Sequence, residues 1–156
     1  MSAAESYAQH ELSIRERTLE RLTGKRMSQA QSDFEILEVI EKGLSSQKII
    51  DFVKSLSLLH DQKALIKAIG LSERALYRRI KKSEPLTADQ SSRVWRFAEI
   101  LTKAEDVFGD SVEAVRWMST PALGLEGHKP INLITTQVGY ELVNEFLNRL
   151  DYGVYI

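Results

Sequence analysis

The sequence predicts an all-α protein, and three observations carry that expectation. Apolar residues recur at three- and four-residue steps, no segment sustains the two-residue alternation of a half-buried strand, and helix caps and stops punctuate the chain. Its 156 residues suffice for one ordinary domain, or for two small ones sharing a core. The composition is that of a folded globular protein, with 43% hydrophobic and 28% charged residues. No apolar run reaches the roughly 18 to 20 residues of a membrane helix. No apolar secretory core appears in "MSAAESYAQHELSIRER", and no membrane partner is expected. The absence of cysteine rules out disulfides and thiolate metal sites and fits a reducing, cytoplasmic location.

The elements follow in order. Residues 1–30 are polar, and Leu12, Leu19 and Leu22 give a thin helical stripe, so a frayed or disordered start leading into a weak helix is expected. "DFEILEVIEKG" places Phe34, Leu37 and Ile40 at helical spacing, with Gly43 as its stop. "SSQKIIDFVKSL" starts at Ser46 as the expected cap and carries Ile49, Ile50, Val53 and Leu56. "DQKALIKAIG" runs from Asp61 to Gly70, and "SERALYRRIKK" opens at Ser72. A long helix begins at the Thr87–Gln90 capping box and ends at Gly109; Asp110 and Glu113 repeat the box spacing. In the last helix Val138, Leu142, Phe146 and Leu150 mark one face.

Before that helix lies "WMSTPALGLEGHKPINLI". Pro121 and Pro130 stop helix propagation, and Gly124 and Gly127 permit a sharp path. This connector is expected to return Leu123, Leu125 and Ile131 to the core and to set the last helix beside the long one. His128 in it is expected to be exposed.

Net charge is −1, but its distribution is uneven. Residues 62–82 hold seven basic residues against one acidic, Glu73; residues 83–156 hold six against eleven. A basic island beside an acidic half suggests two faces with different partners. The island reads as a helix-turn-helix. Gly70 supplies the positive-φ turn, Ser72 caps the second helix, and Leu65, Ile69, Leu71, Leu76 and Ile80 form the core between the two helices. Ile66 stands where such motifs usually carry alanine. The expected DNA-binding residues are Ser72, Glu73, Arg74, Tyr77, Arg78, Arg79, Lys81 and Lys82. Of these, Glu73, Arg74, Tyr77 and Arg78 lie nearest the bases, Lys81 and Lys82 reach the backbone, and Arg79 lies nearer the opposite edge.

No catalytic constellation can be assembled. His10, His60 and His128 are far apart in sequence, no metal-ligand spacing appears, and no glycine-rich loop follows a strand. Glu105 and Asp106 are neighbours on a helix, about 100° apart, so they do not face one substrate and read as a solvated helix end. No enzyme activity, cofactor or metal is expected. The tail "LDYGVYI" is different: bulky apolar side chains at a terminus either dock on their own domain or enter a partner.

The order of these motifs resembles the Xre/MbcA/ParS-like antitoxins of type II toxin–antitoxin pairs. The likeness rests on "GLSERALYRRIKK", on "LT…S.RV.R…I…AEDVFGD", on "RWMSTP", on "G.KP.NLI.T..G…V" and on the ending "LDYGVYI", and covers roughly residues 62–156. Two positions depart from the family pattern: Ala122 stands where asparagine is usual, and Glu126 where a glycine is. The resemblance implies an Xre-type helix-turn-helix module followed by a small helical toxin-binding domain. The implied division is an N-terminal extension at 1–33, partly disordered or weakly helical, a DNA-binding module at 34–85 and a toxin-binding domain with its tail at 86–156. It implies that Tyr152, Gly153, Val154, Tyr155 and Ile156 enter and block the active site of a cognate RES-domain toxin that consumes NAD. It further implies that the chain represses its own operon at operator DNA, as a homodimer or a larger hetero-oligomer with the toxin. The alternative is a stand-alone repressor whose C-terminal domain only dimerises.

Overall fold

The computed structural model describes residues 2–26, 32–56, 63, 66 and 69–151. The described residues form helices α1 (Ala3–Thr23), α2 (Ser32–Lys42), α3 (Ser46–Ser55), α4 (Glu73–Lys81), α5 (Ala88–Phe108), α6 (Ser111–Met118), α7 (Pro130–Leu133) and α8 (Gln137–Asp151). A 3-10 turn, Leu123–Leu125, lies between α6 and α7. Among the described residues there is no strand, only an isolated bridge between Ala122 and His128. The chain is all-α, as its periodicity predicts.

The caps explain where the helices begin. Ser72 accepts from Ala75 N at 3.1 Å and opens α4. Thr87 and Gln90 form the reciprocal box that opens α5, and Asp110 accepts from Glu113 N at 2.8 Å. One cap is displaced by a residue from the expected place. Ser45 caps α3, whereas Ser46 is buried and donates to Glu84 O at 2.7 Å. Its hydroxyl ties α3 to the segment leading into α5.

Helix α5 is the central beam. Val94, Phe97, Ala98, Ile100, Leu101 and Ala104 are buried on it, and α1, α2, α6 and α8 all pack against it. On its N-terminal side Ile49, Ile50, Phe52 and Val53 of α3 join Ile69, Leu71 and Leu76 in the same core. Burial of these side chains supplies the main favourable term in folding.

Helix α1 runs without a break over 21 residues, capped at Ser2 and stopped at Gly24. Ile14, Thr18, Leu19 and Leu22 are buried along it, so the working stripe includes Ile14 while Leu12 is only half-buried.

Three apolar expectations are corrected. On α8 the buried face is Gly139, Val143 and Leu147, while Val138 is 70% and Leu142 49% exposed. The reason is steric: a Cβ on Gly139 would lie 1.8 Å from Leu133 O, so the glycine edge of the helix meets α7 and the bulkier edge faces outward. On α2, Phe34 and Leu37 are exposed, and Ile36, Val39 and Ile40 pack inward. In the connector, Leu125 and Ile131 do reach the core, but Leu123 is 97% exposed at the tip of the 3-10 turn.

Candidate nucleic-acid and partner interfaces

The described part of the helix-turn-helix has the expected hinge. Gly70 has φ +75°, and its N–H donates to Ile66 O at 2.8 Å, ending a helix in which Lys63, Ile66 and Ile69 are described. Leu71 then turns inward and α4 starts at its serine cap. Leu76 is fully buried and Ile80 partly so, which fixes the rotation of α4. Leu65 and Asp61 lie outside the described residues. Ile66 is 47% exposed, so it is not wedged wholly between the two helices.

That rotation sorts the candidate residues. Arg74, Tyr77, Arg78, Lys81 and Lys82 are exposed. Among the described residues no carboxylate pairs with Arg74, Arg78 or Lys81 of this short helix, or with Lys82 at its C-cap. Arg79 is used internally: it donates to Pro85 O at 2.9 Å and stands 3.9 Å from Glu84, bracing the α4–α5 loop. The Ser72 hydroxyl serves its own helix, and Glu73 is half-buried.

Two contributors escaped the sequence reading. Lys54 of α3 lies 5.6 Å from the centre of the Tyr77 ring, and a hydrogen bond with the Tyr77 hydroxyl holds its ammonium above the usual lysine range. Beside the turn, a cavity of about 340 Å³ is lined by Gly70, Asp89, Gln90, Ser92, Arg93 and Arg96, and the buried Nε of Arg96 has no partner there. Spacing within one helix gave no sign of either, because both arise where separate helices meet.

The C-terminal half is built the opposite way. Lys103 is 2% exposed, and its ammonium donates to Glu11 at 2.6 Å, to Asn148 at 3.2 Å and to Asn144. Glu99, also buried, accepts from Trp95 Nε1 at 2.7 Å and from the Tyr140 hydroxyl. Burial, reinforced by the Glu99 charge, holds the Tyr140 phenol far above the usual tyrosine range.

Glu105 and Asp106 end the helix in ion pairs, Glu105 half-buried and Asp106 exposed to solvent as expected. Arg21 forks onto Glu105, and Arg17 onto Asp106 at 2.7 and 3.0 Å. The signal was present in the sequence as two arginines four apart on α1 facing two adjacent carboxylates on α5. At the end of α8, His10 Nε2 lies 3.0 Å from Asp151, and Asn148 donates to the Tyr7 hydroxyl at 3.3 Å. Helix α1 therefore holds the point from which the tail departs. Tyr152, Gly153, Val154, Tyr155 and Ile156 lie outside the described residues.

The connector forms a hydrogen-bonded knuckle. Ala122 N donates to His128 O at 3.1 Å, while Leu125 N and Gly127 N both donate to Ala122 O, at 3.0 and 2.9 Å. His128 is exposed, as expected. Glu126, the position where the family resemblance calls for glycine, has φ +54°. A left-handed backbone there is the physical reason for a glycine preference. Beneath the knuckle, Phe108, Trp117 and Phe146 form a ring stack with centroids 5.1 and 6.0 Å apart, and Gly124 lies directly on the Phe146 ring.

Among the described residues no group of three His, Asp or Glu side chains is placed to hold a metal ion, and no helix is long and apolar enough to cross a membrane.

Comparison with known proteins agrees with this two-sided construction. Residues 35–99 match the antitoxin Xre-like helix-turn-helix domain, and residues 103–153 match the antitoxin Xre/MbcA/ParS C-terminal toxin-binding domain. The chain is 34% identical over 122 residues to Antitoxin Xre of Pseudomonas putida, covering 78% of this chain and 74% of that protein. It is 32% identical over 123 residues to Antitoxin Xre of Yersinia enterocolitica, covering 77% and 80%. A protein named Prs ADP-ribosylating antitoxin from a Sphingobium strain is 29% identical over 128 residues, covering 75% and 78%. With both domain types matched in order and relatives aligned over most of its length, the chain belongs to the Xre antitoxin family, carrying a helix-turn-helix domain and a toxin-binding domain.

Proposed function

We propose that this protein is the antitoxin of a type II pair in the cytoplasm, holding a RES-domain, NAD-consuming toxin inactive and repressing its own operon at operator DNA. The observation that carries the DNA half is the set of four exposed cations, Arg74, Arg78 and Lys81 on α4 and Lys82 at its C-cap, unpaired among the described residues and turned outward by buried Leu76. Their positive charge attracts phosphates; Arg74 sits in the first turn, where base edges are read, and Arg78 lies one turn further on, on the same side of the helix. Lys54 adds charge to the same face. Operators of this kind are read as paired half-sites, so the acting species is a homodimer or a larger toxin–antitoxin assembly.

The toxin half rests on the domain match and on the tail. The residues Tyr152, Gly153, Val154, Tyr155 and Ile156 leave α8 at a root fixed by α1 and plug the toxin's NAD-binding cleft. The Sphingobium relative, named for ADP-ribosylation, supports a toxin that handles an ADP-ribose-bearing dinucleotide.

The two halves are separable by experiment. Replacing Arg74 and Arg78 together by alanine weakens operator binding by about 2 to 6 kcal/mol, measured by electrophoretic mobility shift at fixed salt, and leaves neutralisation intact. Deleting Val154–Ile156 does the reverse: the toxin consumes NAD in the presence of the antitoxin while DNA binding is retained. Loss of both activities from either variant, with folding preserved, contradicts this division. The gene beside this one is expected to encode the toxin.

A further inference from the structure

Helix α1 lies outside both matched domains and yet holds the second of them. The matches cover residues 35–99 and 103–153, and α1 ends at Thr23. Five of its side chains reach into the second stretch. Arg21 and Arg17 fork onto Glu105 and Asp106, Glu11 pairs with Lys103, the Tyr7 hydroxyl accepts from Asn148, and His10 meets Asp151. The pair at Lys103 is the most telling. Lys103 is 2% exposed, and its other acceptors are the neutral amides of Asn144 and Asn148. A buried ammonium without a counter-charge is costly. Among the described residues Glu11 is the one carboxylate paired with it, so the stretch 103–153 contains a cation that α1 neutralises.

The end of α8 depends on α1 in the same way. Leu147 is the last buried side chain of α8, so core packing stops one turn before the helix does. In the turn beyond it, Asn148 is held by Tyr7 and Lys103, and Asp151 by His10. Helix ends fray, because their last carbonyls lack partners within the helix. A turn that has to be ordered when a partner arrives costs affinity, and one already ordered does not. The domain match runs past this turn, to residue 153, so the turn belongs to the part of the chain that meets the toxin.

We infer that the toxin-binding unit is discontinuous in sequence, with α1 as its first part, and that Tyr7 and His10 are positioning residues that act on toxin affinity through Asn148 and Asp151. This rests on the toxin-binding reading above. The test titrates the full-length chain against the RES-domain toxin from the neighbouring gene, inactivated in its own catalytic site. Point variants are used instead of a deletion, because Leu19 and Leu22 of α1 also share a core with α2 and α3. Tyr7→Phe/His10→Ala removes both ties from α1 to the last turn and leaves the buried Glu11–Lys103 pair in place. It is expected to weaken toxin binding about tenfold, with operator binding unchanged and the melting temperature lowered by less than about 2 °C. In the free variant, hydrogen exchange at amides 147–151 quickens about tenfold. Tyr7→Phe/His10→Gln, whose side-chain amide still donates to Asp151, binds the toxin about threefold more tightly than the alanine variant. Unchanged toxin affinity in the alanine variant overturns the inference. So does a loss that glutamine leaves unrestored, or one that operator binding shares, since α1 would then be a general support of the fold. If the parent chain does not bind this toxin, the toxin reading itself falls and the inference with it.

Discussion

The two ends of the central helix α5 solve opposite problems. Around its N-terminal half the apolar side chains of α3 and α4 are inside, and Arg74, Arg78 and Lys81 of α4 are outside, without a carboxylate partner among the described residues. Around its C-terminal half the order is inverted: Lys103 and Glu99 are inside, and Leu123 and Val138 are outside. Charge is left on the surface at one end and built into the interior at the other. A buried ion held by several acceptors sets orientation, because any sliding of α1 or α8 leaves it unpaired. Apolar surface on α8, at Val138 and Leu142, stays exposed.

The contrast can be tested directly with two cations. Lys103→Ala leaves Glu11 and two amide oxygens without their donor and is expected to lower stability by about 3 to 5 kcal/mol, read by urea denaturation. Arg78→Ala, on the exposed side of α4, stays within about 0.5 kcal/mol in the same measurement. Equal losses would mean that charge plays one role throughout.

Tyr140→Phe sharpens the inner network. It removes a donor from buried Glu99 and is expected to cost about 1 to 3 kcal/mol. The pH dependence gives a separate readout. The folded-state phenol titrates above its unfolded value near 10, so its contribution is complete below about pH 10 and declines as pH rises beyond that. Melting temperature therefore falls above about pH 10 in the parent protein, and the fall is shallower in Tyr140→Phe. The smallest effect concerns the knuckle: Glu126→Gly relieves the left-handed backbone and raises stability by about 0.5 to 1 kcal/mol, seen as a modest increase in melting temperature.

Much of this was legible in the sequence, and the failures share a cause. Caps were readable because they are local chemistry: Ser72, Thr87 with Gln90, Gly109 and Asp110 all act within four residues of their own helix. Faces were less so. On α8 two apolar stripes compete, and bulk pointed to Val138 and Leu142, whereas the smallest residue, Gly139, marks the inner edge because α7 approaches it so closely. The outward cations of α4 followed from periodicity within nine residues. The internal use of Arg79 by the α4–α5 loop, the cavity at Arg96 and the α1–α5 forks depend on contacts between segments, which spacing within a helix does not encode. The tail residues proposed for the toxin lie beyond the described part of the chain, so that expectation stands as the proposal tested above.

The clasp formed by α1 has a consequence for how the protein is made. Its pairs join residues 84, 89, 92 and 141 positions apart, from Arg21–Glu105 to Tyr7–Asn148. Helix α1 thus completes its contacts only once α8, whose anchors Asn148 and Asp151 lie 141 positions beyond Tyr7 and His10, has been made. The helix-turn-helix domain, closed by contacts between nearer neighbours, has its partners earlier in synthesis than the toxin-binding domain, which waits for α8.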